Sequence, residues 1–205
     1  MVYSDLDYRK TAFIFELDNV LYPEKDYLLQ VYYLFSNFLE YTEMTPAKEM
    51  LGLMTKVFEE KGADAVLDAV QVEFKLDEKY RQNFAHLMVN AKLPLKLLLY
   101  QKMLQLLQDI VVDRKKIFIV TNGHPPLQLN KIRQTDWNGL EKYLTCYFAN
   151  EYAPKPEPDA IHTLIKEHQL ERRELLMIGN GNIDEATAEA AGIDYISVDN
   201  FLNFN

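Results

Sequence analysis

Phe13-Ile-Phe-Glu-Leu-Asp-Asn-Val-Leu21 is the stretch whose reading decides the fold. The apolar run Ala12 to Phe15 reads as a strand covered on both faces, the habit of a parallel sheet. Glu16 and Asp18 follow one residue apart. In an extended chain, positions i and i+2 point the same way, so both acids leave the strand together where a loop begins. In a parallel α/β sheet, the C-terminal ends of the strands are where ligands bind.

Downstream the character changes. Tyr22-Pro23-Glu24 places a proline near a helix start. Tyr27 to Leu39 is long, lacks breakers and is apolar nearly all round, which predicts a helix covered on more than one side, with most of its aromatic residues packing. Thr45-Pro46 predicts an N-cap followed by proline at the first helical position, with the helix running to Lys61 and stopping at Gly62. Further helices are predicted from Asp64 to about Phe74, from Asp77 to about Asn90 and from Leu95 to about Gln108. Nothing between Pro23 and Asn90 reads as a strand.

From Lys115 strands and helices alternate. Lys116 to Thr121 is a buried-type strand ending at Asn122-Gly123, and Leu127 to Arg133 is predicted helical. Leu144 to Phe148 is a third strand. Pro154-Lys-Pro-Glu-Pro158 is a rigid turn into a helix that runs through about His168. Glu174 to Ile178 is a fourth strand, followed by Gly179-Asn-Gly181 and a helix from Ile183 to Ala191 stopped by Gly192. Asp194 to Val198 is a fifth. This rhythm predicts an α/β fold, a doubly wound parallel sheet, from residues 1–22 and 91–205, interrupted by an all-helical domain over 23–90.

Composition narrows the function classes. The 205 residues are 48% hydrophobic and 26% charged, as in globular proteins. A net charge of −9 with no basic stretch argues against nucleic acid or an anionic membrane as partner. The single cysteine, Cys146, has no internal partner for a disulfide and is expected in the core. His86, His124, His162 and His168 show no metal-ligand spacing. Residues 1–10 carry acids where a signal peptide carries bases, and no apolar run approaches the roughly 20 residues of a membrane span, so the expected location is the cytoplasm.

Four strand ends carry polar groups: Glu16 and Asp18, Thr121-Asn122, Lys155, and Asn180 with Asp184. Each alone has an ordinary explanation, such as a turn residue, a solvated lysine or a helix-start acid. In this order they resemble the haloacid dehalogenase (HAD) superfamily, on its phosphatase side. Glu16-Leu-Asp18-Asn-Val20 stands at its Asp-x-Asp-x-Thr/Val motif, Thr121 at its second, Lys155 at its third, and Gly179-Asn180 with Asp184 at its fourth. The resemblance covers essentially the whole chain, and Asp18 to Tyr22 is similar to a nucleotidase-like branch. It implies a Rossmann-like core with a helical cap domain, and hydrolysis of a phosphate monoester.

In that resemblance the first acid attacks phosphorus and forms an acyl phosphate. Asp18 protonates the leaving group and then activates water. Thr121 and the Asn122 amide hold phosphate oxygens, and Lys155 neutralises nucleophile and phosphate. Glu16, Asp18, Asn180 and Asp184 stand at the positions that hold Mg²⁺. The implied partner is a small phosphorylated metabolite, the chain being a monomer or homodimer. Dehalogenases proper lack the second acid, so Asp18 points toward phosphate esters.

Two positions depart from the pattern. Glu16 and Asn180 stand where the superfamily has aspartates. Glutamate moves its carboxylate by roughly 1 Å, a misplacement that can cost about 10²-fold in rate. Asn180 brings no charge to a metal. Weakened hydrolysis is therefore expected, against two alternatives: an inactive protein that binds a phosphorylated ligand or a protein partner, and an interaction protein that uses its aromatic helix as a contact surface.

Overall fold

The computed structural model describes residues 1–202. The chain divides into two compact units. The first comprises Met1–Pro23, Leu98–Gln128 and Thr135–Asn205, the second Glu24–Leu97 and Leu129–Gln134.

The first unit is built on five parallel strands: β1 (Ala12–Phe15), β2 (Lys116–Thr121), β3 (Leu144–Phe148), β4 (Leu175–Gly179) and β5 (Asp194–Ser197). Their order across the sheet is β3-β2-β1-β4-β5, an α/β doubly wound arrangement. β1 lies at the centre, with Ala12 level with both Lys116 and Leu175. The chain therefore runs outward on one side of β1 and returns to the other, and the crevice at such a switch point is where open α/β sheets bind ligands.

β1 is central because it tolerates cover on both faces: Ala12, Phe13, Ile14 and Phe15 are all fully buried. Ala12 and Ile14 join one apolar cluster with Phe118, Val120, Leu175 and Met177 from neighbouring strands. Helices α7 (Asp159–His168) and α8 (Asn182–Ala191) close it with Ile161, Leu164, Ala188 and Ala191. Helix α5 (Gln101–Val112) packs against β2 and buries Met103, Leu106, Leu107 and Ile110.

The second unit holds α1 (Glu24–Glu43), α2 (Ala47–Lys61), α3 (Val66–Phe74) and α4 (Tyr80–Asn90). Most aromatic residues of α1 pack as expected, while Tyr33 and Tyr41 are exposed. Tyr32 lies 6.2 Å from both Phe58 and Phe84, and Phe35 meets Phe84 edge-on at 5.0 Å between ring centres. No helix among the described residues is long and apolar enough to cross a membrane.

Local expectations fail where backbone groups find other partners. Thr45 does not cap α2: Pro46 holds the cap position, and the Thr45 hydroxyl is buried without a hydrogen-bond partner among the described residues. Asp64 sits in a 3-10 turn (Ala63–Ala65) ahead of α3, and Asp77 caps a turn by accepting from the Lys79 N–H at 2.8 Å before α4 begins at Tyr80. The helix expected from Leu95 starts at Gln101. Leu97–Leu98 is extended, and the Tyr100 N–H is taken by Leu21 O at 2.8 Å. Cys146 lies on the edge strand β3 and is half-buried, not in the centre of the core.

Candidate active site

Glu16, Asp18, Thr121, Lys155 and Asp184 all fall within the first unit, at strand ends, in loops or at a helix start along one edge of the sheet. Glu16 follows β1 directly, and its N–H donates to Ile178 O of β4 at 3.1 Å, carrying the sheet one residue past the strand. Glu16 is therefore held at the C-terminal end of β1, and the residue is 8% exposed. Thr121, the last residue of β2, is fully buried and donates to Glu16 Oε1 at 2.6 Å.

Lys155 comes from the proline-rich turn. Asn122 anchors that turn with two bonds: its Nδ2 donates to Lys155 O at 3.0 Å, and its Oδ1 accepts from the Lys155 N–H at 2.8 Å. So held, the Lys155 side chain reaches back and its ammonium lies between Glu16 and Asp184, bonded to both. Burial pulls the Lys155 amine below its ordinary basicity, while Asp184 opposes that shift. Asp184 lies in the first turn of α8, where a carboxylate is favourable, and its Oδ2 accepts from the Asn180 N–H at 2.7 Å. Gly179 permits this approach, since a Cβ there would stand 2.4 Å from the Asp184 Cβ.

Asp18 is joined to this cluster indirectly. Its Oδ1 accepts from the Tyr22 hydroxyl at 2.8 Å and its Oδ2 from Gln128 Nε2 at 2.9 Å. The same Gln128 amide lies 2.7 Å from Thr121 Oγ1 and 2.8 Å from Asn122 O. Gln128 is 3% exposed, and its Oε1 has no partner among the described residues. The network thus runs Asp184–Lys155–Glu16–Thr121–Gln128–Asp18. Gln128, on helix α6 (Pro125–Gln134), was not anticipated from sequence. A lone glutamine in a first turn carries no motif, and its seven-residue offset from Thr121 gains meaning only once the loop is folded.

Asn180 is the predicted site residue that the structure does not bring into this network through its side chain. It is exposed and contributes its backbone N–H. With Gly181, Asn182, Glu185 and Tyr195 it lines an adjoining cavity of about 480 Å³.

Mg²⁺, which the resemblance implies, fits this donor set poorly. The ion takes oxygen ligands, above all carboxylates. Here Glu16 and Asp184 each give an oxygen to Lys155, and their other oxygens accept from Thr121 and the Asn180 N–H. Asn180 supplies no charge. Among the described residues, no group of three or more His, Cys, Asp or Glu side chains gathers to hold a metal.

This sheet, with its motif residues at one edge, defines an α/β fold of the HAD type. The haloacid dehalogenase-like hydrolase family model matches residues 13–198, and the chain belongs to that family. Among solved structures, it is similar to a hydrolase from Streptococcus pneumoniae TIGR4, at 19% identity and a TM-score of 0.54 over 92% of each chain. The HAD-hydrolase YfnB from Bacillus subtilis, bound to magnesium, shares 16% identity and a TM-score of 0.63 over 91% of this chain and 86% of its own. The L-2-haloacid dehalogenase from Xanthobacter autotrophicus, with chloropropionic acid covalently bound, shares 14% identity and a TM-score of 0.52 over 91% of this chain and 76% of its own. No curated protein matches the sequence.

Proposed function

We propose that this HAD-type hydrolase acts on the phosphate monoester of a small metabolite, at a rate well below that of an ordinary enzyme. The observation that carries the reading is the shared Lys155 ammonium, bonded to Glu16 at the nucleophile position and to Asp184. Phosphoryl transfer is catalysed almost entirely by positioning and charge neutralisation. Lys155, Thr121 and the Asn122 backbone N–H are the groups suited to phosphate oxygens, the Asn122 side chain being committed to the Lys155 backbone. Asp18 is the group suited to move a proton, and it is oriented by Tyr22 and Gln128. Its presence favours a phosphate ester over the halogenated acid of the Xanthobacter enzyme.

Weak turnover follows from the same contacts. Glu16 must leave Thr121 before its carboxylate can meet phosphorus at the roughly 3–3.5 Å that attack requires. The network sets one ammonium, Lys155, against the carboxylates of Glu16 and Asp184, with Asp18 further along it, so a phosphate dianion meets net negative charge. The test is a panel of phosphorylated metabolites and p-nitrophenyl phosphate, with 2-chloropropionate as the dehalogenation control, assayed with and without Mg²⁺. Phosphate release slower than about 1 per second is expected, below the ordinary enzyme range, with no chloride release. Chloride release, or phosphate turnover within the ordinary range, would overturn the reading.

A further inference from the structure

Two donors in the site suit an oxyanion, and one side chain of this protein already uses both. Lys155 is 6% exposed and Thr121 fully buried, so neither reaches bulk water freely. Thr121 Oγ1 donates to Glu16 Oε1 at 2.6 Å, and the Lys155 ammonium bonds Glu16 Oε2. One carboxylate therefore places an oxygen on each donor, as two oxygens of a bound phosphate would. The extra methylene of glutamate supplies the reach. The remaining contact of Lys155 goes to Asp184, and the acceptor side of Thr121 goes to Gln128.

We infer that Glu16 is the resting occupant of an oxyanion seat formed by Thr121 and Lys155, so that an external phosphate binds only by displacing it. The inference rests on the proposed phosphate chemistry and assigns Glu16 a role in that site other than attack. Two physical effects act together. The tethered carboxylate competes without loss of translational freedom, and its negative charge repels an incoming anion at contact range. Removing the side chain frees both donors and leaves Lys155 paired with Asp184. Glu16→Gln removes the charge but leaves most of the volume in place.

Calorimetric titration with inorganic phosphate at pH 7 tests this on the full chain, with and without Mg²⁺. The native protein is expected to bind phosphate weakly. Glu16→Ala should bind it at least about tenfold tighter, a modest fraction of one like-charge contact. Adding Thr121→Val to Glu16→Ala should remove most of that gain. Glu16→Gln should gain less than Glu16→Ala, and it carries the test if the alanine variant does not fold. Native protein that binds phosphate as tightly as the Glu16 variants would overturn the inference while leaving phosphate chemistry standing. If no form binds phosphate under either condition, the proposed phosphate reading falls, and the inference with it.

Discussion

Replacing Lys155 by methionine probes the contact on which the site turns. Lys155, Glu16 and Asp184 are 6%, 8% and 4% exposed, so the substitution leaves two buried carboxylates without their shared cation. Breaking a buried ion pair by removing one partner costs about 3–5 kcal/mol. For a chain of this size each kcal/mol moves the melting midpoint by roughly 2–4 °C, so the fall should be roughly 6–20 °C near neutral pH. Urea unfolding followed by circular dichroism at pH 7.5 measures it. A loss under about 1 kcal/mol would refute the reasoning.

Gly179→Ala sets a Cβ 2.4 Å from that of Asp184, and should cost about 1–3 kcal/mol as overpacking does; an unchanged melting midpoint would contradict it. Gln128→Leu removes the amide that Asp18 Oδ2 and the Asn122 carbonyl accept from, and should cost about 1–3 kcal/mol; unfolding energies equal to those of the native chain would count against the bridging role. Burial pushes the Cys146 thiol up to about 11, so its alkylation by iodoacetamide in the native protein should stay slow at pH 8 and rise only in strong alkali. Rapid labelling at pH 8 would show the thiol to be more solvated than its place on β3 allows.

The strands were legible because their signal is local. Phe13-Ile-Phe15 and Ile117-Phe-Ile-Val120 are continuous apolar runs, and only a doubly covered parallel strand accommodates them. The same locality misled at Thr45 and at Leu95. A cap residue ahead of a proline and an apolar run after Pro94 look helical until Pro46 takes the cap position and Leu21 takes the Tyr100 N–H. For the site, residue type and order marked Glu16, Asp18, Thr121, Lys155 and Asp184. What they bond to was not legible. Gln128 meets Asp18 and Thr121 across 110 and 7 residues of chain, and whether Glu16 reaches Thr121 depends on one methylene at a fixed strand end, which no sequence pattern encodes.

Glu16 and Asn180 are separate departures in sequence but act on one object. Asp184 accepts from Lys155 on one oxygen and from the Asn180 N–H on the other, while Glu16 accepts from the same Lys155 and from Thr121. Shortening Glu16 to aspartate withdraws its carboxylate from Thr121 and frees a donor, but no charge is gained to balance phosphate. Changing Asn180 to aspartate puts a carboxylate, the kind of donor Mg²⁺ prefers, on the residue whose N–H donates to Asp184, yet leaves Glu16 in the oxyanion seat. Each substitution alone corrects half of one charge arrangement, and groups sharing a network are not additive. Glu16→Asp combined with Asn180→Asp should therefore raise phosphatase activity by more, on a logarithmic scale, than the two single variants summed. Asn180→Asp alone should tighten Mg²⁺ binding measured by calorimetry. If the gains simply add, or if Mg²⁺ binds the native chain as tightly as the Asn180 variant, the two positions do not meet through Lys155 and Asp184, and the weakness of the site has another origin.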